Sequence, residues 1–195
     1  SIPENLGGLI LSAPAEGADD LFLERAFRLV QMAAGPLRAS GGTRILTTIS
    51  RLNGSFGLLP GTDFANPVSG GLAGIAKTAG HEWPGIACKA LDLAGDVRDF
   101  EMAAKTIVDE ALTDGPDEVG ITAQGLQAFK LSEVPLPDEE LLPPLAVGDL
   151  VVISGGARGV TAEAAVALAS SCRATLLLLG RSPLPEAEPE WLSGL

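Results

Sequence analysis

The stretch from Leu150 to Leu179 restricts the fold more than any other part of the chain. An apolar run, Leu150-Val151-Val152-Ile153, leads straight into Ser154-Gly155-Gly156-Ala157-Arg158-Gly159-Val160-Thr161. A helical pattern follows, with Val160, Ala164 and Leu168 spaced for one face, and then a second apolar run from Ala174 to Leu179. Strand, glycine turn, helix and strand in that order predict a βαβ unit whose turn cradles phosphate. Gly155 allows a tight exit from the first strand, and Gly159 allows close approach of the backbone to a pyrophosphate. The helix then offers its unpaired amides and the positive end of its dipole to the anion.

The residues after the second strand sharpen this reading. Dinucleotide sites for NAD place an Asp or Glu there to bond the ribose hydroxyls, whereas sites for NADP avoid that charge and supply Arg. Here the chain has Gly180-Arg181-Ser182 and no carboxylate until Glu186. Arg181 suits bidentate pairing with a 2′-phosphate, and Arg158 in the turn can assist. The predicted cofactor is therefore NADPH. Its contacts are expected from Ser154, Gly155, Gly156, Ala157, Arg158, Gly159 and Val160, and from Gly180, Arg181 and Ser182.

Upstream, the chain alternates strand and helix signals. Leu9-Ile10-Leu11 reads as a buried strand, and Asp19 and Asp20 offer caps for a helix bearing Leu23, Phe27 and Val30 on one face. Gly35-Pro36 is expected to weaken or end that helix. Arg44 to Ile49 is a β-branched strand candidate. A helix is expected from about Val68 to Glu82, closed by Trp83-Pro84, and Ile86 to Leu93 predicts another strand. Phe100, Ala103, Ala104, Ile107, Val108 and Ala111 trace a helical stripe, and Val119 to Thr122 a short closing strand. Such alternation predicts parallel strands joined by right-handed crossovers. The fold class expected is α/β, a Rossmann-like doubly wound parallel sheet followed by the first βαβ unit of a second one.

Four prolines (Pro135, Pro137, Pro143 and Pro144) interrupt the stretch from Glu133 to Gly148, which can continue neither a helix nor a central strand. The domains are thus expected at 1–133 and 149–195, with a linker at 134–148. The net charge of -12 argues against nucleic acid or an anionic membrane as partner. With 46% hydrophobic residues and only 4% aromatic, the core is built from small and branched aliphatics. Cys88 and Cys172 lack metal-ligand spacing, so no metal site or disulfide is expected. No apolar run is long enough to span a bilayer, and Ser1 to Asn5 lacks the basic region of a signal peptide. A cytoplasmic location is expected.

The segment Ser154 to Thr161 resembles the TGxxxGxG cofactor turn of short-chain dehydrogenases/reductases. It is similar in particular to that of the ketoreductase domains of polyketide synthases and polyunsaturated fatty acid synthases. Ser154 stands in place of the usual Thr and keeps the hydroxyl. Thr161 stands in place of the third glycine, which implies altered packing between helix and strand.

Those ketoreductases resemble two reductase halves, a degenerate structural subdomain and then a catalytic one. The order here, βα repeats, proline linker and glycine turn, is similar. Arg44 to Gly54 resembles the strand and loop that deliver a catalytic Ser, and Gly70 to Pro84 resembles the signature before the sixth strand. The resemblance places Ala65 and Ser69 where an active half has its Tyr and Lys, and the chain contains no Tyr. No catalytic residue is therefore expected in the chain, and Ser50, Lys77 and His81 are read as structural or surface residues.

For a parent protein the resemblance implies NADPH-dependent reduction of a β-ketoacyl group carried by an acyl carrier protein. It implies other synthase domains in the same chain and a homodimer formed through the synthase. The catalytic Ser and Tyr are expected beyond Leu195. A docking domain with an unused glycine turn is the alternative. A free-standing reductase is disfavoured, because its turn lies near the amino terminus.

Overall fold

A computed structural model describes residues 2–59, 67–135 and 145–181. The chain divides after Ser132 into two compact units.

The first unit is a five-stranded sheet, β1 (Gly8–Ser12), β2 (Ile45–Ser50), β3 (Ala87–Leu93), β4 (Glu118–Thr122) and β5 (Gly125–Ala128). The strands lie side by side in chain order, and β1 to β4 are parallel. Helix α1 (Phe22–Ala39) joins β1 to β2, α2 (Gly71–Glu82) joins β2 to β3, and α3 (Phe100–Leu112) joins β3 to β4. The expected closing strand β4 does not close the sheet. A tight turn returns the chain as β5, antiparallel, with Thr122 opposite Gly125.

Strand periodicity shows which face each helix covers. Leu46 and Cys88 meet Val30, Ala33 and Leu37 of α1 and Ala79 of α2. Ile49 and Leu91, an odd number of positions along their strands, point the other way and meet Ala103 and Ile107 of α3. Each crossover steps in the same direction across the sheet, yet α3 lies on the face opposite α1 and α2. The α3 connection therefore has the opposite hand to the two before it. This corrects the expectation that all the crossovers share the right-handed sense. It also explains why β2 and β3 are buried on both faces over most of their length.

Several local expectations are revised. Helix α1 continues through Pro36 to Ala39. The proline leaves the carbonyl of Met32 without its helical donor, and Met32 lies on the exposed side where water can replace it. The buried stripe of α1 is Ala26, Val30, Ala33 and Leu37, while Phe27 is half exposed. Asp19 lies two positions before the cap residue Leu21 and its carboxylate accepts from the Leu21 amide at 3.1 Å. Helix α3 buries Ala103 and Ala111 and leaves Phe100 and Val108 exposed, a narrower stripe than the sequence suggests. It carries a true cap, with Asp99 accepting from the Met102 amide at 2.9 Å. The helix expected from Val68 begins as a 3-10 turn, Pro67–Gly70.

The second unit contains β6 (Leu150–Ser154), α4 (Gly159–Cys172) and β7 (Thr175–Leu179). The strands are parallel, from Leu150 opposite Thr175 to Ser154 opposite Leu179. Here the expected buried strands are largely exposed, Leu150 by 65% and Val152 by 55%. Among the described residues one helix covers one face of the two strands, so alternate side chains are left exposed. The covering face of α4 centres on Ala165 and Cys172, and Val160 stands 86% exposed rather than packing inward. Among the described residues, no helix is long and apolar enough to cross a membrane.

Candidate functional site

The parallel register of the second unit assembles the predicted cofactor residues. Ser154 ends β6 directly opposite Leu179, which ends β7. The Gly155 amide continues the pairing by donating to the Leu179 carbonyl at 2.7 Å. The glycine turn therefore leaves the carboxyl edge of β6 beside the point where Gly180 and Arg181 leave β7. In parallel α/β sheets this is the edge that receives ligands.

Within the turn the glycines do different work. Gly155 has φ +74° and Gly159 φ +57°, backbone that a side chain strains, and a Cβ on either would meet open space. Gly156 is required by packing. A Cβ there would lie 2.7 Å from Leu178 Cδ2 and 2.9 Å from Ile153 Cγ2. The position tightest against the strands is thus Gly156, whereas Thr161, where altered packing was expected, is exposed.

Arg158 occupies the cap position of α4 in extended conformation, and no side chain caps the helix. Among the described residues no side chain accepts from the first-turn amides of α4, the condition under which a helix end attracts an anion. Arg158 and Arg181 are exposed. Ser154, Ala157 and Gly180 flank the same edge, while Val160 points to solvent. These residues fit a phosphate-bearing dinucleotide: open backbone, an uncapped helix end and two guanidinium groups. Ser182, Glu186 and Ala65 lie outside the described residues. Among the described residues no cluster of three His, Cys, Asp or Glu side chains could hold a metal ion.

The corresponding edge of the first unit is built differently, around a residue that the sequence reading does not single out. Asp92, near the end of β3, is wholly buried. Its carboxylate accepts from Ser50 Oγ at 2.9 Å and from the backbone amides of Leu52 at 2.8 Å, Asn53 at 3.3 Å and Phe56 at 2.9 Å. Ser50, aligned with a catalytic position by resemblance, is buried and spends its hydroxyl on Asp92 and the Leu91 carbonyl. Ser69 is buried too, and its oxygen accepts from the Arg51 amide at 3.3 Å. A buried Asp in an otherwise apolar strand, Ala90-Leu91-Asp92-Leu93, is the signal that could have found this network.

Lys77 pairs with Glu118 at 3.1 Å and His81 is exposed. Trp83 is buried beneath Arg38, whose guanidinium lies 5.3 Å from the ring centre. Neither cysteine forms a disulfide. Cys88 is half-buried at the margin of the core beneath α1 and α2. Loss of hydration, aided by Asp117, pushes its thiol up to about 11.

No family model matches the chain. It is 28% identical over 199 residues to one of the subunits of the polyunsaturated fatty acid synthase of Thraustochytrium sp.. That similarity takes in 97% of this chain and only 7% of the relative. A solved structure of A-type ketoreductases from a modular polyketide synthase superposes with TM-score 0.61 at 27% identity, over 83% of this chain and 32% of that one. Sequence and fold together support a ketoreductase-like domain of the polyketide synthase type. A multidomain structure of a keto acid-selecting nonribosomal peptide synthetase module, containing a ketoreductase, shares the fold at TM-score 0.61 and 22% identity. It matches 90% of this chain and 16% of its own. The mixed α/β architecture with a mainly parallel sheet is that of Rossmann-like ketoreductases.

Proposed function

We propose that this ketoreductase-like domain is part of an NADPH-dependent β-ketoacyl reductase within a polyketide or polyunsaturated fatty acid synthase. The observation that carries the reading is the register of β6 and β7, which sets the glycine turn beside Arg181 on one sheet edge. NADPH, when bound, supplies the hydride that converts a β-keto thioester into a β-hydroxy thioester.

The residues of the second unit hold and orient it. Gly155, Gly156 and Ala157 leave the backbone open to a pyrophosphate, and the uncapped amides from Gly159 and Val160 donate to its oxygens. Ser154 contributes a hydroxyl at the strand end. Arg181, with Gly180 and Ser182, takes the 2′-phosphate, and Arg158 adds positive charge at the helix end. The subdomain at 1–133, which takes in the first unit, is non-catalytic and is followed by a linker at 134–148. The proton for the alkoxide comes from a residue outside this chain, which has no Tyr. The substrate arrives on an acyl carrier protein, and neighbouring synthase domains, acting in the cytoplasm and through a homodimer, supply and remove it.

Two measurements test this. Arg181→Asp in the parent enzyme should weaken NADPH at least about a hundredfold, roughly 3 kcal/mol, and NADH far less. Equal loss for both cofactors refutes the role of Arg181. The chain alone should show no NADPH-dependent reduction of a simple β-ketoester, and turnover would overturn the non-catalytic reading.

A further inference from the structure

We infer that Asp92 is an internal anion. Its carboxylate fills an anion-binding nest formed by the backbone of residues 51–57, and so holds the carboxyl edge of the first unit closed to phosphate-bearing ligands. The juxtaposition stands on the geometry of the first unit alone and does not depend on the cofactor reading of the second.

Three lines of observation converge. The amides of Leu52, Asn53 and Phe56 all point at one carboxylate, and Ser50 Oγ completes the set. Convergent backbone amides are how proteins bind anions that come from outside, and here the anion belongs to the chain. Second, Asp92 is wholly buried and forms no ion pair among the described residues, so these donors alone replace its hydration. Third, the loop accepts conformational strain to reach it. Phe56 takes φ +52°, between Gly54 at +72° and Gly57 at +78°. A phenylalanine in left-handed backbone needs surroundings that enforce it. Its amide bond to Asp92 and the edge-on contact of its ring with Phe129, at 5.5 Å between centres, do so.

The loop is also fixed from outside the nest. Asn53 Oδ1 accepts from the amides of Ser55 at 3.0 Å and Gly57 at 2.9 Å, and Ser55 Oγ donates to Gln127 Oε1 at 2.8 Å. Arg51 Nε donates to the Ala13 carbonyl after β1 at 3.1 Å. Asp92 therefore sits where β1, β2, β3 and the β4–β5 hairpin are tied together. It is a positioning residue, and the ligand edge of this sheet is occupied by the protein's own side chain.

Chemical rescue tests the inference in the full 195-residue chain. Asp92→Ala should lower the melting temperature by about 10 °C or more, and formate at about 100 mM should restore at least a third of the loss while equal chloride restores none. Formate should move the amide resonances of Leu52, Asn53 and Phe56 in Asp92→Ala and leave them unmoved in the parent sequence. No difference between formate and chloride in a folded Asp92→Ala overturns the nest. Should Asp92→Ala not fold, Asp92→Asn supplies the test, since its shape is kept while its NH2 opposes the amide donors. Hydrogen exchange at Leu52, Asn53 and Phe56 should then be at least about a hundredfold faster than in the parent, and unchanged exchange overturns the proposal. Inorganic phosphate that shifts these three amides in the parent chain also overturns it, because the edge would then be open.

Discussion

The two units carry the same kind of edge, where parallel strands end and a loop turns away, and they equip it in opposite ways. In the first unit the edge holds a buried carboxylate, a strained loop wrapped around it and a serine hydroxyl already engaged. In the second the corresponding edge has glycines in open backbone, an uncapped helix and two exposed arginines. One edge has its anion built in; the other presents donors and positive charge without one. The contrast shows that βα topology supplies the location of a ligand edge, while a few side chains decide whether a ligand can use it.

The contrast is easiest to break at the backbone. Gly120 in β4 lies against the Gly54 carbonyl, where a Cβ would collide. Gly120→Val should destabilise the first unit by at least about 3 kcal/mol, more than ordinary overpacking, because backbone cannot repack as side chains do. Urea unfolding measures this, and a loss under about 1 kcal/mol would show that the loop is free to lift. Core depth gives the next comparison. Leu91 is fully buried and Leu177 is 47% exposed. Leu91→Ala should cost about 2–5 kcal/mol and Leu177→Ala less than about 1 kcal/mol, both read from denaturation midpoints. Similar losses would mean that the face around Leu177 is covered in solution.

Smaller effects sharpen the second edge. Gly155→Val forces a branched side chain into left-handed backbone and should cost about 1–3 kcal/mol locally. NADPH affinity of the parent enzyme should fall by about tenfold or more, while the melting transition of the first unit stays in place. The smallest effect concerns Cys88, whose thiol is raised from 9.0 to about 11 by burial and by Asp117. A thiol that keeps its proton in the folded state contributes stability that is fully present below about pH 9 and is lost as pH rises through about 11. Iodoacetamide at about pH 8.5 should alkylate Cys88 at least about tenfold more slowly in the folded than in the urea-unfolded chain. Equal rates would show that the Cys88 thiol is hydrated in the folded chain.

Much of this molecule is legible in the order of its residues. The strands of the first unit are readable because β2 is an apolar and β-branched run and β3 a largely apolar one broken only by Lys89 and Asp92, both bounded by glycine and proline. The glycine turn is readable because its function rests on backbone, which glycine spacing reports directly. Packing direction is less accessible. Helical spacing turns Val160 inward, yet α4 lies on only two strands and presents Ala165 and Cys172 to them. Pro36 reads as a stop, but the exposed side of α1 tolerates the lost bond. The hand of the α3 crossover depends on which face of β2 and β3 each helix covers, a long-range property without a local signal. Asp92 stands out among its apolar neighbours in β3, but the amides that meet it come from a distant loop, and that pairing is likewise a long-range property.

The side-by-side order of β1 to β5 has a consequence for how the first unit is made. Each of β2 to β5 pairs with the strand delivered just before it, so none of these four waits for a segment still to be synthesised. The sheet can be laid down from one end as the chain leaves the ribosome, each new strand finding a finished template. A sheet completed in the order of translation leaves few strand edges unpaired while it forms.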